Sequence, residues 1–449
     1  MKHFARTVFA LLGLVVLLLL GAVTFALLPT HTRQIAASQS AESDAASIER
    51  GRYLAVAADC IGCHTAPGGK PFAGGLALDS PIGKIYSTNI TPHADSGIGK
   101  FTLDDFDRAV RHGIDAEGVT LYPAMPYPSY ALISDSDIAA LYTYFMHGIE
   151  PVPSTTPANG IPWPLSIHWP LAIWRKLFAP APDTPGFNAS RYADPEVARG
   201  AYLVQAPGHC GTCHTPRAIS LQERALDDTS TSFLAGGQEF GGWVAVNLRG
   251  NIGDGLGNWS KDDIVATLRT ARNAKQAVIG APMSEVVLHS TQNLNEADLQ
   301  AIAAYLKTLA PSSGRTVKFA ANPATAAALA TGHEADRGAE LYDDNCAACH
   351  RSDGAGSPAA LPQIADNSSV LAEDPNSLIL LVLAGGSLPG TAAAPSTLGM
   401  PAFAWRLSDE EVAELLTFIR TNWGNQASNV TAAEVARVRD SLNAHTGIR

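Results

Sequence analysis

Every cysteine in this chain lies in one pattern, Cys-x-x-Cys-His, which occurs three times. The copies are Cys60-Ile61-Gly62-Cys63-His64, Cys210-Gly211-Thr212-Cys213-His214 and Cys346-Ala347-Ala348-Cys349-His350. The spacing reads as c-type haem attachment: two thiols bond to the macrocycle and the adjacent imidazole reaches the iron from one side. Other chemistries fit less well. A structural zinc site needs four ligands, usually from two such pairs brought together. Redox thiols expect a βαβ context. Disulfides within the pairs would leave three histidines unexplained. The expected cofactors are therefore three covalently bound haem c groups with iron. Cys60, Cys63, Cys210, Cys213, Cys346 and Cys349 attach them, and His64, His214 and His350 serve as iron ligands.

A six-coordinate electron carrier needs a second axial ligand, and thioether sulfur raises the reduction potential relative to two imidazoles. Of five methionines, Met125, Met283 and Met400 fall one per motif, 61, 69 and 50 residues after the motif histidines. Prolines flank all three, which predicts stiff loops rather than helices. Met146 lies in a helical pattern and is expected to pack. His112, His168, His209 and His289 are the weaker alternatives as ligands. No acid, base or nucleophile is required, so no catalytic residue is assigned.

The elements that must position these groups repeat as well. Ser134, Asn295 and Ser408 each open a helical apolar pattern with an acid three residues later (Asp137, Asp298, Glu411), a capping box or close variant. Aligned on these caps, Tyr144, Tyr305 and Phe418 share one position. Upstream, Arg50-Gly51, Arg199-Gly200 and Arg337-Gly338 precede the first cysteine of each motif, the arginine by nine to eleven residues. Tyr53, Tyr202 and Leu341 or Tyr342 follow on a short predicted helix, where the glycine would admit a close helix neighbour. Helix, motif, long loop, helix is the layout of a class I cytochrome c domain. The predicted fold is all-α, with three tandem domains of this class at 45–150, 191–310 and 335–425.

Length and composition agree. A chain of 449 residues predicts about three domains. The net charge of −11 argues against nucleic acid as a partner. From Thr7 to Leu28 run 22 residues without a charge, about 33 Å as a helix, enough to cross a bilayer. Lys2 and Arg6 precede it, which keeps the N-terminus cytoplasmic and exports the rest. Residues 1–34 are read as a retained membrane anchor in a bacterial inner membrane, with the bulk periplasmic. A cleaved signal peptide is the alternative; the run exceeds the usual length for one, and Pro29 to Arg33 offer no small-residue cleavage site.

Several segments resemble a known family. Tyr86-Ser87-Thr88-Asn89-Ile90-Thr91-Pro92, Phe106-Asp107-Arg108-Ala109-Val110-Arg111-His112-Gly113 and Leu121-Tyr122-Pro123-Ala124-Met125-Pro126-Tyr127-Pro128 are similar to the triheme cytochrome c subunits of membrane-bound alcohol, aldehyde, gluconate and fructose dehydrogenases of acetic acid bacteria and relatives. Ile161-Pro162-Trp163-Pro164-Leu165, Trp169-Pro170-Leu171-Ala172-Ile173-Trp174 and Met400-Pro401-Ala402-Phe403 match too. The resemblance runs from about Ile48 to Val438. It implies three His/Met haems that pass electrons from a catalytic dehydrogenase subunit to membrane ubiquinone. The long N-terminal span departs from the alcohol-enzyme subunits. It looks more like the cytochrome that accompanies a molybdopterin-type aldehyde oxidoreductase with a small third subunit, so an aldehyde dehydrogenase partner is favoured. A quinoprotein alcohol enzyme or a flavin gluconate or fructose enzyme is the alternative.

Three segments remain. Residues 151–190 form a Pro/Trp-rich linker in which Pro162, Pro164 and Pro170 exclude a continuous helix; it is expected to wrap its own domain and bury Trp163, Trp169 and Trp174, a partner or membrane-interface surface being the other reading. A second linker, 311–334, suggests no chemistry. The tail, 426–449, carries a capping box at Thr431 and Glu434, and its helix docks either on a partner or on the third domain. Two further functions compete with electron transfer by a dedicated subunit. A haem enzyme would need an open iron position, against which a candidate methionine in every unit counts. A free-standing shuttle is disfavoured by the anchor.

Overall fold

The computed structural model describes residues 2–30, 35, 44–184, 186–273, 279–312, 319–333, 336–358 and 360–446. The stretch His31 to Arg33, the middle of the second linker and the start of the third predicted domain at 335 lie outside the described residues. The chain forms two compact units, Met1–Asn188 and Ala189–Arg449. The first holds one helix–motif–helix repeat and the second holds two.

Each repeat is built on a crossing of two helices. Ala45–Ala57 packs on Asp135–His147, Pro195–Gln205 on Glu296–Thr308, and Arg337–Asn345 on Asp409–Thr421. Ser134, Asn295 and Ser408 are the observed N-caps, accepting from the backbone N–H of Asp137, Asp298 and Glu411. The repeated glycines sit at the crossings. A Cβ at Gly51, Gly200 or Gly338 would lie only 2.6, 2.8 and 2.8 Å from the Cβ of Tyr144, Tyr305 and Phe418, the residues aligned by sequence, and would also meet a backbone carbonyl of the facing helix. The arginine beside each glycine has a second task. Arg50, Arg199 and Arg337 bond Asp137, Asp298 and Glu411, the acid in the first turn of the facing helix. One dipeptide thus sets both the spacing and the register of the crossing.

The fold is not purely helical, which corrects the all-α expectation. Three short antiparallel hairpins pair Ala77–Ser80 with Gly83–Tyr86, Glu239–Phe240 with Trp243–Val244, and Gly386–Leu388 with Leu398–Met400. Gly241 and Gly242, both at positive φ, make the two-residue turn of the second, the backbone that such hairpins demand.

In the second unit the two repeats share a small core. Ala271, Val287 and Leu388 are all buried in it, and Val244 N–H donates to Ser377 Oγ at 2.8 Å. The tail helix, Ala432–Thr446, packs on the closing helix of the third repeat, with Val435 and Val438 in the same core as Tyr342, Leu416 and Phe418. Its capping box is formed: Thr431 N–H donates to Glu434 at 2.8 Å, and Glu434 N–H returns to Thr431 Oγ1. Part of the second linker also folds onto the third repeat, where Asn322 caps the helix Pro323–Ala330 and Leu329 is buried.

The apolar N-terminal run is a helix, Lys2–Leu27, whose Arg6–Leu27 stretch has a mean hydropathy of 2.8. It packs against the helix Trp169–Phe178 of the first linker. That helix revises the reading of the linker. Pro170 does not exclude it, because proline in a first helical turn forfeits no hydrogen bond. Nor are the rings all buried: Trp174 packs edge-on against Tyr127 and Phe178, but Trp163 is 81 % exposed.

Candidate haem sites

Each pattern lies on one short helical turn: Cys60–Cys63, Gly211–His214 and Ala347–His350 are helical. Positions three and four apart in a helical turn are neighbours, so each turn brings its second cysteine and its histidine close to the first cysteine in the backbone. None of the six cysteines is in a disulfide. Burial pushes Cys60, Cys210 and Cys346 up to about 12. A nucleophilic redox cysteine needs the opposite, a depressed value.

The three histidines are held alike. Nδ1 of His64 donates to the Thr88 carbonyl at 2.7 Å, that of His214 to Val246 at 2.8 Å, and that of His350 to Pro362 at 2.9 Å. A carbonyl can only accept, so Nδ1 carries the proton and Nε2 keeps its lone pair. Fixing tautomer and ring angle through the second nitrogen is how proteins prepare a histidine for a metal. Burial lowers all three imidazoles below their ordinary pKa, which keeps them neutral and able to ligate. These residues fit a covalently attached haem.

The acceptors reach the histidines by two routes. In repeats one and two a glycine after the motif binds the histidine carbonyl, Gly74 N–H to His64 at 2.8 Å and Gly236 N–H to His214 at 2.7 Å, before the chain makes a hairpin and returns. Both glycines have positive φ, and a Cβ would come within 2.6 Å of Asn89 N or 2.7 Å of Asn247 N. Asn89 then bonds the Val152 carbonyl and Thr91 N–H; Asn247 bonds Arg249 N–H and Ser312. In the third repeat the acceptor is only 12 residues on, without the intervening hairpin. Sequence reasoning missed these acceptors. The recurring signal was Thr88-Asn89 against Val246-Asn247.

The methionines occupy three different backbones, and two correct the stiff-loop expectation. Met125 is in a loop, its carbonyl accepting from Tyr127 N–H at 2.8 Å. Tyr130, on the short helix that follows, donates to the Ala58 carbonyl at 3.0 Å and so ties this loop to the first motif. Met283 is instead the third residue of the helix Ala281–His289, started by Pro282. Met400 ends a strand opposite Gly386 and packs on the core that contains Cys346. Met146 lies in the closing helix of repeat one, as expected.

The alternative histidines have other partners. His112 is buried 3.8 Å from Asp107, His168 bonds the Thr120 carbonyl at 3.2 Å, and His289 pairs with Glu285 at 3.2 Å. His209 sits at positive φ directly before Cys210. Among the described residues no three His, Cys, Asp or Glu side chains converge as a metal-binding group, so the four-ligand zinc arrangement has no donor set there.

Comparison with known proteins agrees with this geometry. The cytochrome c family pattern matches residues 197–310 and 335–423, the second and third repeats. The chain is 50% identical over 422 residues to the gluconate 2-dehydrogenase cytochrome c subunit of Pantoea cypripedii, covering 93% of this chain and 95% of that one. It is 48% identical over 406 residues to the cytochrome c subunit of the quinone alcohol dehydrogenase of Gluconobacter oxydans, covering 90% and 84%. The fructose dehydrogenase cytochrome subunit of Gluconobacter japonicus is 38% identical over 415 residues, covering 88% and 82%. With its pinned motif histidines and this similarity along nearly its whole length, the chain belongs to the family of cytochrome c subunits of the gluconate, alcohol and fructose dehydrogenases of acetic acid bacteria and their relatives.

Proposed function

We propose that this protein is the membrane-anchored triheme electron-transfer subunit of a periplasmic dehydrogenase and delivers electrons to membrane ubiquinone. The observation that carries this reading is the threefold recurrence of a Cys-x-x-Cys-His turn whose histidine is fixed through Nδ1 to a backbone carbonyl. Bound haem c supplies a one-electron carrier at each site. The chain's own residues do the rest. The cysteines would anchor the macrocycle, the histidines would offer Nε2 to the iron, and Met125, Met283 and Met400 would supply the thioether sulfurs. Three tandem class I domains follow, at 45–150, 191–310 and 335–425. Substrate oxidation belongs to a separate catalytic subunit, with a small third subunit beside it. The helix Lys2–Leu27 holds the assembly in the inner membrane, the bulk periplasmic.

An aldehyde dehydrogenase is the partner that the long anchor favours. Gluconate oxidation is a second reading, supported by the 50% identity to the Pantoea subunit. Mild detergent extraction, with mass measurement of this chain and its companions, tests the proposal. Three haem additions, a co-purified dehydrogenase subunit and quinone reduction by the complex are expected. A chain that purifies without companions and oxidises alcohols or aldehydes itself would overturn the subunit assignment.

A further inference from the structure

The linker helix Trp169–Phe178 lies against the end of the N-terminal helix. Lys176 Nζ donates to the carbonyls of Phe25 and Leu28, each at 2.7 Å, satisfying the last turn of that helix, and stands over the Phe25 ring at 5.2 Å. Arg175 donates to Thr30 Oγ1 at 2.7 Å. Among the described residues of this helix, Ala22, Val23 and Ala26 near its end are the shielded ones, and the linker helix packs against it. Ala22 lies five residues before Leu27, roughly 7 Å deeper at 1.5 Å per residue. An element that covers Ala22 cannot stay above the bilayer surface if the helix spans the hydrocarbon.

The composition of the segment suits that depth. Its sequence is Trp-Pro-Leu-Ala-Ile-Trp-Arg-Lys-Leu-Phe. The two charged side chains turn to partners at the end of the anchor, Arg175 buried against Thr30 and Lys176 on the last carbonyls. Leu177 is 61 % exposed, and Trp163 and Leu165 stand out of the run just before the helix. Exposed Trp and Leu beside a helix whose Lys176 meets the end of the anchor are the composition of an interfacial element.

We propose that Trp169–Phe178 is a second membrane element, lying in the outer interface of the bilayer alongside the anchor, with Leu177 and Trp163 in contact with lipid. This rests on the anchor reading above. It makes the first unit two-point attached, so that its haem domain is held at a set orientation to the membrane.

The chain offers a clean test, because all six natural cysteines are in haem motifs. The holo-protein carrying Leu177→Cys, Trp163→Cys, Leu14→Cys or Asp79→Cys, one at a time, is nitroxide-labelled and placed in phospholipid nanodiscs. Collision rates with oxygen and with a water-soluble nickel chelate are then compared. At Leu177 and Trp163 oxygen should be favoured severalfold over its value at Asp79, on an exposed strand. A lipid signature at Leu14 with water-like values at Leu177 and Trp163 overturns this inference alone. A water-like value at Leu14 overturns the anchor itself.

Discussion

Arg199 reaches from the helix before the second motif to Asp298 in the first turn of the closing helix, with two parallel hydrogen bonds of 2.8 Å, Nε to Oδ1 and Nη2 to Oδ2. Asp298 is buried, and its backbone N–H is already taken by the Asn295 cap. The pair therefore links two helices that are distant in sequence at the point where one begins. The same relationship joins Arg50 to Asp137 and Arg337 to Glu411.

Removing the arginine strands a buried carboxylate. Arg199→Met should destabilise the second unit by about 1–3 kcal/mol, below the full cost of breaking a buried pair because the guanidinium is partly solvated. Thermal unfolding of the holo-protein measures it. Arg337→Met, whose partner is more exposed, should cost less. Equal losses at the two sites would contradict the role of burial.

Gly200→Ala tests the crossing itself. Alanine in an exposed helix normally gains about 1 kcal/mol over glycine. Here the added methyl would meet the Ala301 carbonyl and the Tyr305 Cβ, so the sign should reverse to a loss of about 1–3 kcal/mol. Haem content after expression reads the same effect. A stabilised variant would mean the helices can part without cost.

The sequence pattern made the repeat legible because caps and helical periodicity are local, and the backbone obeyed them at Ser134, Asn295 and Ser408. The three motif histidines were equally legible, each following its second cysteine. What holds those histidines was not, since Thr88, Val246 and Pro362 contribute a carbonyl, which every residue has. The proline beside Met283 reads as a helix breaker, yet Pro282 starts a helix, because the first turn needs no N–H from it. The contact of Lys176 with the anchor spans about 150 residues and leaves no periodic trace.

His112 gives the first repeat a pH dependence. Its imidazole is buried, and burial, with Arg111 and then Arg175 nearby, lowers it from 6.5 to about 4, despite Asp107 at 3.8 Å. The unfolded chain therefore takes up a proton before the folded one does. The contribution of His112 to stability should be constant above pH 7, fall by up to about 3 kcal/mol as pH drops from 6.5 to 4, and stay lost below that. Denaturant titrations of wild type and His112→Gln at a series of pH values check this: the variant should lack that part of the slope.

The methionines can be tested one at a time because each lies on a separate backbone element. Leucine conserves volume at Met283 and fits a first helical turn, so Met283→Leu should fold and keep its haem through Cys210 and Cys213. Loss of sulfur should lower the potential of that haem or open its iron to carbon monoxide, because thioether ligation favours the ferrous state. Met400→Leu should do the same to the third haem, while Met146→Leu, in the closing helix of repeat one, should change no potential. Spectroelectrochemical titration resolves the three steps. If the Met283→Leu titration superimposes on wild type, that sulfur is not an iron ligand, and the helix Ala281–His289 has only a packing role.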